Sequence, residues 1–367
     1  MIDNKRVLVV EPYYGGSHQA FLNGLLDTLQ CQSVLVTLPA RKWKMRMQVA
    51  APWVVSQVRS MEKNQRWFDS VLCSTFVDVA VLRAMLTQLP GWNPEARFCT
   101  YFHENQFAYP GQLKDPSIFQ FTSINFNTAL VSDCLAFNSH FNLNSFLELS
   151  RKFLKKMSEI SIIEHHRAIA EKSVVLYPGI DFSTIDQTAA GEVQEGDNSP
   201  VIVWNHRWEH DKNPDEFFTA LWRIKERGHK FKLIVLGQSF KNQPQCFSWA
   251  KDVFAKEIVH FGYADSKQQY GELLGQGDIV VSTSIHEFFG ISVLEAVRAG
   301  CRPLLPNRLS YPELFEPAFL YAEDNLVAEL EKVIVEGDRL GRELGRRYTD
   351  QYSWNNIGGD YGNWLFG

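Results

Sequence analysis

The chain has 367 residues, 45% of them hydrophobic and 22% charged, with a formal net charge of −5. At roughly 150 residues per domain that length suits two domains, and the composition is too apolar for a disordered chain. The acidic balance argues against a general nucleic-acid coat while leaving room for a local basic patch.

From the N-terminus, β-branched apolar runs alternate with longer segments of helical spacing, the pattern of parallel sheets covered by helices. In the first half the expected strands are Arg6–Glu11, Ser33–Leu38, Asp69–Ser74, Arg97–Phe102, Asp133–Asn138 and Ser173–Tyr177, with helical segments such as Gln19–Leu29 between them. The start of the chain shows no signal-peptide pattern. Val71–Leu86, the longest apolar run, is broken by Asp78 and Arg83, so no membrane span is expected. Residues 183–200 are polar and acidic and read as a linker between a first domain, 1–182, and a second, 201–350. The second domain repeats the pattern with Val201–His206, Phe231–Gly237, Ile258–Gly262, Asp278–Thr283 and Arg302–Leu305. The last segment, 351–367, is too aromatic for a loose tail and is expected to pack back toward the first domain. Aromatics make up 13% of the chain, with ten Trp, and large cores explain them better than a stacking surface. Cys31, Cys73, Cys99, Cys134, Cys246 and Cys301 lie far apart without a CxxC or Cys/His cluster, which reads as reduced thiols of a cytoplasmic protein without structural zinc.

In open α/β sheets ligands bind beyond the carboxyl ends of the strands, so the residues that follow each strand carry the functional reading. After the first strand, Glu11-Pro12-Tyr13-Tyr14-Gly15-Gly16-Ser17-His18 enters a helix. Its two glycines suit either a simple turn or a backbone approach to an anion at the helix N-terminus. After the fourth strand, His103-Glu104-Asn105-Gln106 places four polar residues in succession, which reads as a ligand-facing edge, with His103 either structural or functional. Trp204-Asn205-His206-Arg207 is followed five residues later by Lys212. Such an Arg and Lys either neutralise a diphosphate together or are two solvated cations. The sharpest signal is Glu287-Phe288-Phe289-Gly290-Ile291-Ser292-Val293-Leu294-Glu295. A helix starting near Gly290 would set the two glutamates of order 10 Å apart, too far to share a proton and suited to two grips on one long ligand. Free N–H groups around Phe289 and Gly290 would face an anion between them.

Glu287-x7-Glu295 around Phe289-Gly290-Ile291, with Arg207 and Lys212, resembles the signature of retaining GT-B nucleotide-sugar glycosyltransferases of family 4. That likeness implies an α/β fold of two Rossmann-like domains with parallel sheets facing across a cleft. The N-terminal half narrows it. Glu11-x-Tyr13-Tyr14-Gly15-Gly16-Ser17-His18, Thr37-Leu38-Pro39-Ala40-Arg41-Lys42-Trp43, Tyr101-Phe102-His103-Glu104-Asn105-Gln106 with Tyr109-Pro110, and Phe137-Asn138-Ser139-x-Phe141-Asn142-x-x-Ser145-Phe146 look like the tRNA-queuosine alpha-mannosyltransferase family, also called glycosyltransferase-like domain-containing protein 1.

The resemblance implies transfer of mannose from GDP-mannose to queuosine in the tRNA for aspartate. Arg207, Lys212 and the Gly15-Gly16 amides would hold the leaving diphosphate without a metal. Glu287 would hold the sugar hydroxyls, with His103 on the sugar from the other domain. Glu295 would take the ribose, and Phe288, Phe289, Gly290 and Ile291 would complete the donor site. Acceptor tRNA would meet the basic run Arg41, Lys42, Trp43, Lys44 and Arg46, through phosphates and stacking, together with Glu104, Asn105 and Gln106. Arg151–Lys156 is a second basic patch, and Tyr263 a guess for the nucleobase pocket. No DNA partner is expected. Two other readings stand beside this one: the same enzyme class with another sugar donor or a lipid or glycan acceptor, and a non-catalytic binding protein on the fold.

Overall fold

Runs such as Val7-Leu8-Val9-Val10 lack polar alternation and fit only a strand covered on both faces, and all four residues are buried. The computed structural model of the chain describes residues 4–109, 118–157, 162–188, 199–240 and 242–367. It comprises two units, Met1–Ile180 together with Trp354–Gly367, and Asp181–Ser353.

The first unit holds β1 (Arg6–Tyr14), β2 (Gln32–Pro39), β3 (Ser70–Ser74), β4 (Arg97–Phe102), β5 (Cys134–Phe137) and β6 (Ser173–Val175). They form one parallel sheet in the order β2-β1-β3-β4-β5-β6. Alternate residues of each strand point to opposite faces. Leu8, Val10, Val71, Cys73 and Phe98 therefore pack with Ala50, Val54 and Val58 of the helix Trp43–Ser60. Val7, Val9, Leu72, Cys99 and Tyr101 pack on the other face with Phe21 and Leu25 of the helix Gly16–Leu29. The C-terminal helix Trp354–Phe366 completes that second face through Trp354, Tyr361, Trp364 and Leu365. Hydrogen bonds tie it down as well: the Ser70 hydroxyl donates to the Leu365 carbonyl at 2.6 Å, and the Tyr361 hydroxyl to the Tyr177 carbonyl at 2.7 Å. Trp354 fits because its neighbours lack side chains. A Cβ on Gly24 would stand 1.9 Å, and one on Gly179 2.1 Å, from its indole.

The second unit holds β7 (Val201–Asn205), β8 (Lys232–Leu236), β9 (Ile258–Gly262), β10 (Ile279–Val281), β11 (Arg302–Pro306) and β12 (Leu320–Tyr321), in the order β12-β11-β10-β7-β8-β9. These strands too are parallel. Much of the aromatic content goes into this core, with Trp204, Phe217, Phe218, Phe247 and Phe254 buried together and Trp208 stacked on Phe247 at 4.2 Å. Trp67, Trp222 and Trp249 are exposed.

The expected strands fall within a few residues of those found, but β12 was not expected. The expected linker also needs correction. Ser183–Gln187 is a helix of the second unit. Its Ile185 is buried, and Asp186 receives two hydrogen bonds from the Arg298 guanidinium, at 2.8 and 2.7 Å. Residues 189–198, the middle of that linker, lie outside the described residues. Among the described residues no helix is long and apolar enough to cross a membrane.

Candidate active site

In the first unit the ends of β1, β3 and β4 converge on His18, in the first turn of the helix Gly16–Leu29. Glu11, near the end of β1, is buried. Its Oε1 accepts from the Tyr13 N–H at 2.8 Å and the Ser74 hydroxyl at 3.0 Å, and its Oε2 lies 2.9 Å from His18 Nδ1. On the other side of the ring, Glu104 Oε2 lies 3.5 Å from His18 Nε2, while Glu104 Oε1 accepts from the Thr75 hydroxyl at 2.9 Å. Burial alone would favour neutral His18, but Glu11 and Glu104 outweigh it and hold the ring up at about 10. His103 packs its ring 4.1 Å from that of His18. Burial, and then the charge on His18, keep His103 well below the ordinary histidine value. Glu11, His18 and His103 bring possible ligand atoms within 4.8 Å of one another. Both His18 nitrogens already face carboxylates, so the group is knit as an ion-pair chain rather than opened as a metal-ligand set.

Gly15 and Gly16 lead into the same helix. Gly16 has φ +54°, the left-handed region that favours glycine, and a Cβ on Gly15 would come within 2.6 Å of the Ala40 Cβ. The turn thus brings bare backbone to a helix N-terminus, where partial positive charge gathers.

In the second unit the chain leaves β7 through Asn205, His206 and Arg207 and makes a 3-10 turn at His210–Lys212. The turn is stitched to the loop after β10: the N–H groups of Ile285 and His286 donate to the Asp211 carbonyl, and the Thr283 hydroxyl to that of Lys212 at 2.9 Å. Lys212 is consequently buried. Its ammonium donates to the His286 carbonyl at 2.6 Å and pairs with Glu287 at 3.1 Å and Asp211 at 3.3 Å. Glu287 Oε1 accepts from the N–H groups of Phe288 at 3.1 Å and Phe289 at 3.4 Å. Burial opposes its ionisation, yet Lys212, with help from His206 and these hydrogen bonds, brings it down to about 2. Gly290 follows at φ +106° and opens the helix Ile291–Ala299. Phe288 and Phe289 have buried side chains, so this segment has mainly backbone to offer a ligand. Glu295, one turn into the helix, accepts from the Tyr270 hydroxyl at 2.7 Å, and that hydroxyl accepts in turn from Asn205 Nδ2 at 3.2 Å. Burial raises Glu295 to about 7.

The structure thus joins Lys212 directly to Glu287, and links Glu295 through Tyr270 to the end of β7. Arg207 is half-exposed and pairs with Glu209 at 3.0 Å. Arg41, Lys42 and Lys44 are exposed, and Arg46 is half-buried. The Trp43 ring leans on Phe121 and Phe76, with centroids 5.3 and 5.9 Å away, and the Lys44 ammonium sits over it at 5.7 Å. Phe76 also stacks on His18 at 5.3 Å, so the basic run and the His18 cluster share one aromatic wall. Tyr263 is 72% exposed.

Two expected acceptor contacts are corrected. Asn105 is fully buried, with its amide donating to Asn142 and Ser145 and its carbonyl oxygen accepting from the N–H groups of Phe107 and Ala108. Gln106 is buried beneath the same loop, its N–H donating to Asn125. The Asn105 side chain is thus consumed by its own loop and by the helix His140–Met157, and Gln106 is buried with it. Glu104 serves the His18 cluster. In the second basic patch Phe153 is half-buried against Phe107 and the exposed Phe119, and the Lys156 side chain and Pro110 lie outside the described residues. Sequence reasoning gave no role to Glu11, His18 or His206. All three stood in quoted strings; the meeting of Glu11 and His18 with Ser74 and Glu104 from the ends of β3 and β4 has no sequence signal.

Solved structures of similar fold include nucleotide-sugar-dependent enzymes of the GT-B fold. The catalytic domain of starch synthase IV from Arabidopsis thaliana superposes with a TM-score of 0.72 at 12% identity, covering 98% of each chain. Sucrose-phosphate synthase from Thermosynechococcus elongatus gives 0.71 at 10% identity, again over 98% of each. Residues 186–337 match the glycosyl transferases group 1 model, and with the site above they define a GT-B glycosyltransferase. The first unit sets the family. Residues 6–180 match the model for the N-terminal part of tRNA-queuosine alpha-mannosyltransferase, and the chain is 33% identical over 358 residues to the tRNA-queuosine alpha-mannosyltransferase of Drosophila melanogaster, covering 95% of this chain and 91% of that one. The chain belongs to the tRNA-queuosine alpha-mannosyltransferase family. A more distant relative, GDP-mannose:cellobiosyl-diphosphopolyprenol alpha-mannosyltransferase of Xanthomonas oryzae, is 23% identical over 171 residues, 44% of this chain and 45% of that one.

Proposed function

We propose that this enzyme transfers mannose, with retention of anomeric configuration, from GDP-mannose to queuosine in the tRNA for aspartate, in the cytoplasm. The observation that carries the reading is the buried Lys212–Glu287 pair, braced by the Phe288 and Phe289 amides, in a chain that belongs to this family. Donor identity is supported by the GDP-mannose-dependent distant relative.

On the second unit, Lys212 and Arg207 neutralise the diphosphate as the glycosidic bond breaks, a task that asks for no divalent metal. Glu287, ionised throughout the neutral range, accepts hydrogen bonds from sugar hydroxyls. Glu295 takes the ribose hydroxyls, and the Phe289–Ile291 backbone faces the diphosphate. On the first unit, the Gly15-Gly16 turn offers amides suited to an anion, and His103 takes a sugar hydroxyl. The acceptor hydroxyl attacks from the face the diphosphate leaves, and its proton passes to the leaving phosphate. Arg41, Lys42, Lys44 and Arg46 hold tRNA phosphates, beside the aromatic wall of Trp43 and Phe76.

A lipid-linked acceptor is the competing reading, prompted by the same distant relative. In the basic helix that would serve it, the aromatic side chain Phe153 is half-buried against Phe107 and Phe119. Purified enzyme with labelled GDP-mannose and tRNA, with and without queuosine, separates the possibilities. Ribonuclease-sensitive label only in queuosine-containing tRNA, abolished by Glu287→Ala, supports the proposal; label in neither tRNA contradicts it.

A further inference from the structure

We infer that His18 is a positioning residue of this site: clamped between Glu11 and Glu104, it is a fixed cation that holds the neighbouring His103 ring neutral and in one orientation. The inference rests on the sugar-binding role given above to His103.

The geometry carries it. A neutral imidazole has one N–H and one lone pair, so it can satisfy only one of two carboxylates placed on its two nitrogens. His18 has Glu11 Oε2 at 2.9 Å from Nδ1 and Glu104 Oε2 at 3.5 Å from Nε2. Only the doubly protonated ring donates to both. Neither carboxylate is free to turn away, because Tyr13 N–H and Ser74 hold the second oxygen of Glu11, and Thr75 holds that of Glu104. The clamp is therefore drawn from the ends of three strands, β1, β3 and β4, the most rigid frame the fold offers. His103 lies face-tilted against this cation with ring centroids 4.1 Å apart, and Phe21 and Tyr101 meet it edge-on at 4.7 and 4.6 Å. A second positive ring at that distance is penalised by like-charge repulsion and by burial.

The other titratable groups around the pair change nothing. Tyr13 meets His18 edge-on at 5.9 Å. Burial keeps Cys73 on β3, Tyr101 on β4 and Tyr361 on the C-terminal helix protonated. The directions of both histidines, His18 upward and His103 downward, agree with the clamp. A neutral His103 offers a sugar hydroxyl one donor and one acceptor; an imidazolium offers donors alone.

The test uses the full chain labelled with 15N-histidine. In the free protein, long-range nitrogen–proton correlation spectra are expected to show His18 doubly protonated at pH 8.5 and His103 neutral at pH 6, assigned by the signals lost in His18→Gln and in His103→Asn. A neutral His18 at pH 8.5, or a charged His103 at pH 6, overturns the inference. Mannosyl transfer by His18→Gln supplies the second readout. Removing the His18 charge leaves burial still acting on His103, so its value rises only part of the way toward the ordinary one, and transfer by the variant falls off in acid at a higher pH than transfer by the wild type. Transfer by the variant with the wild-type pH profile refutes the inference and leaves the proposed function standing. The expected spectra with no transfer by wild type refute the function and leave the clamp standing.

Discussion

Replacing Lys212 by Met removes one ammonium and nearly preserves the volume, which isolates its electrostatic role. The Lys212 side chain is 8% exposed and that of Glu287 19%, so solvent screens the pair little. Breaking a buried pair by removing one partner costs about 3–5 kcal/mol, because the remaining charge loses its compensation. In the same direction, holding Glu287 at about 2 rather than 4.5, to which Lys212 contributes most among the favourable groups beside His206 and the Phe289 amide, corresponds to roughly 3 kcal/mol in favour of the folded, ionised form. For a unit of this size that is a fall in Tm of roughly 6–20 °C. Thermal and denaturant unfolding at pH 7 read it, alongside mannosyl transfer. Because the Glu287 value is depressed in the folded chain, its contribution is present above pH 4.5 and is lost as pH falls through about 2, so the deficit narrows in acid. A double variant with Glu287→Gln should recover part of the loss, since it removes the orphaned charge. Lys212→Met that unfolds like wild type, at pH 7 and in acid, would refute the reasoning and leave Lys212 with a purely catalytic part.

Glu295 stands near 7 in the folded chain against 4.5 in the unfolded one. Its contribution to stability is therefore complete below pH 4.5 and lost as pH rises to about 7, and Glu295→Gln should gain on wild type across that window in a pH series of unfolding curves. Gly290→Ala places a side chain at φ +106° and 3.2 Å from the Tyr311 ring. It should cost about 1–3 kcal/mol of backbone strain and, by shifting the Phe288 and Phe289 amides, raise the KM for donor in steady-state kinetics. All six thiols are free, and only Cys31 and Cys246 are even partly accessible; thiol labelling followed by peptide mass mapping should modify those two in the native protein and the other four only after denaturation.

What the sequence disclosed follows the range of the interactions involved. Val7–Val10 announces a covered strand because four consecutive apolar residues have no other economical place. Glu287, Glu295 and Lys212 were readable because each falls at a fixed offset from a strand end. β12 escaped notice because two residues, Leu320 and Tyr321, show no periodicity, and among the described residues its ladder is with β11 alone. The helix Ser183–Gln187 is polar in composition and is held by Ile185 and by Arg298, more than a hundred positions away. Asn105 was misread because a polar run after a strand looks ligand-facing until its side chain turns inward to Asn142 and Ser145, some forty positions away. The His18 clamp needs β1, β3 and β4 in their three-dimensional order before Glu11 and Glu104 can be seen as partners.

The most direct measurement of the central claim is nucleoside mass spectrometry of tRNA for aspartate after incubation with this enzyme and GDP-mannose. The account predicts that queuosine gains the mass of one hexose, released by an α-mannosidase, with no change at any other nucleoside. Unmodified queuosine beside consumed donor, or a hexose on another nucleoside, would contradict it.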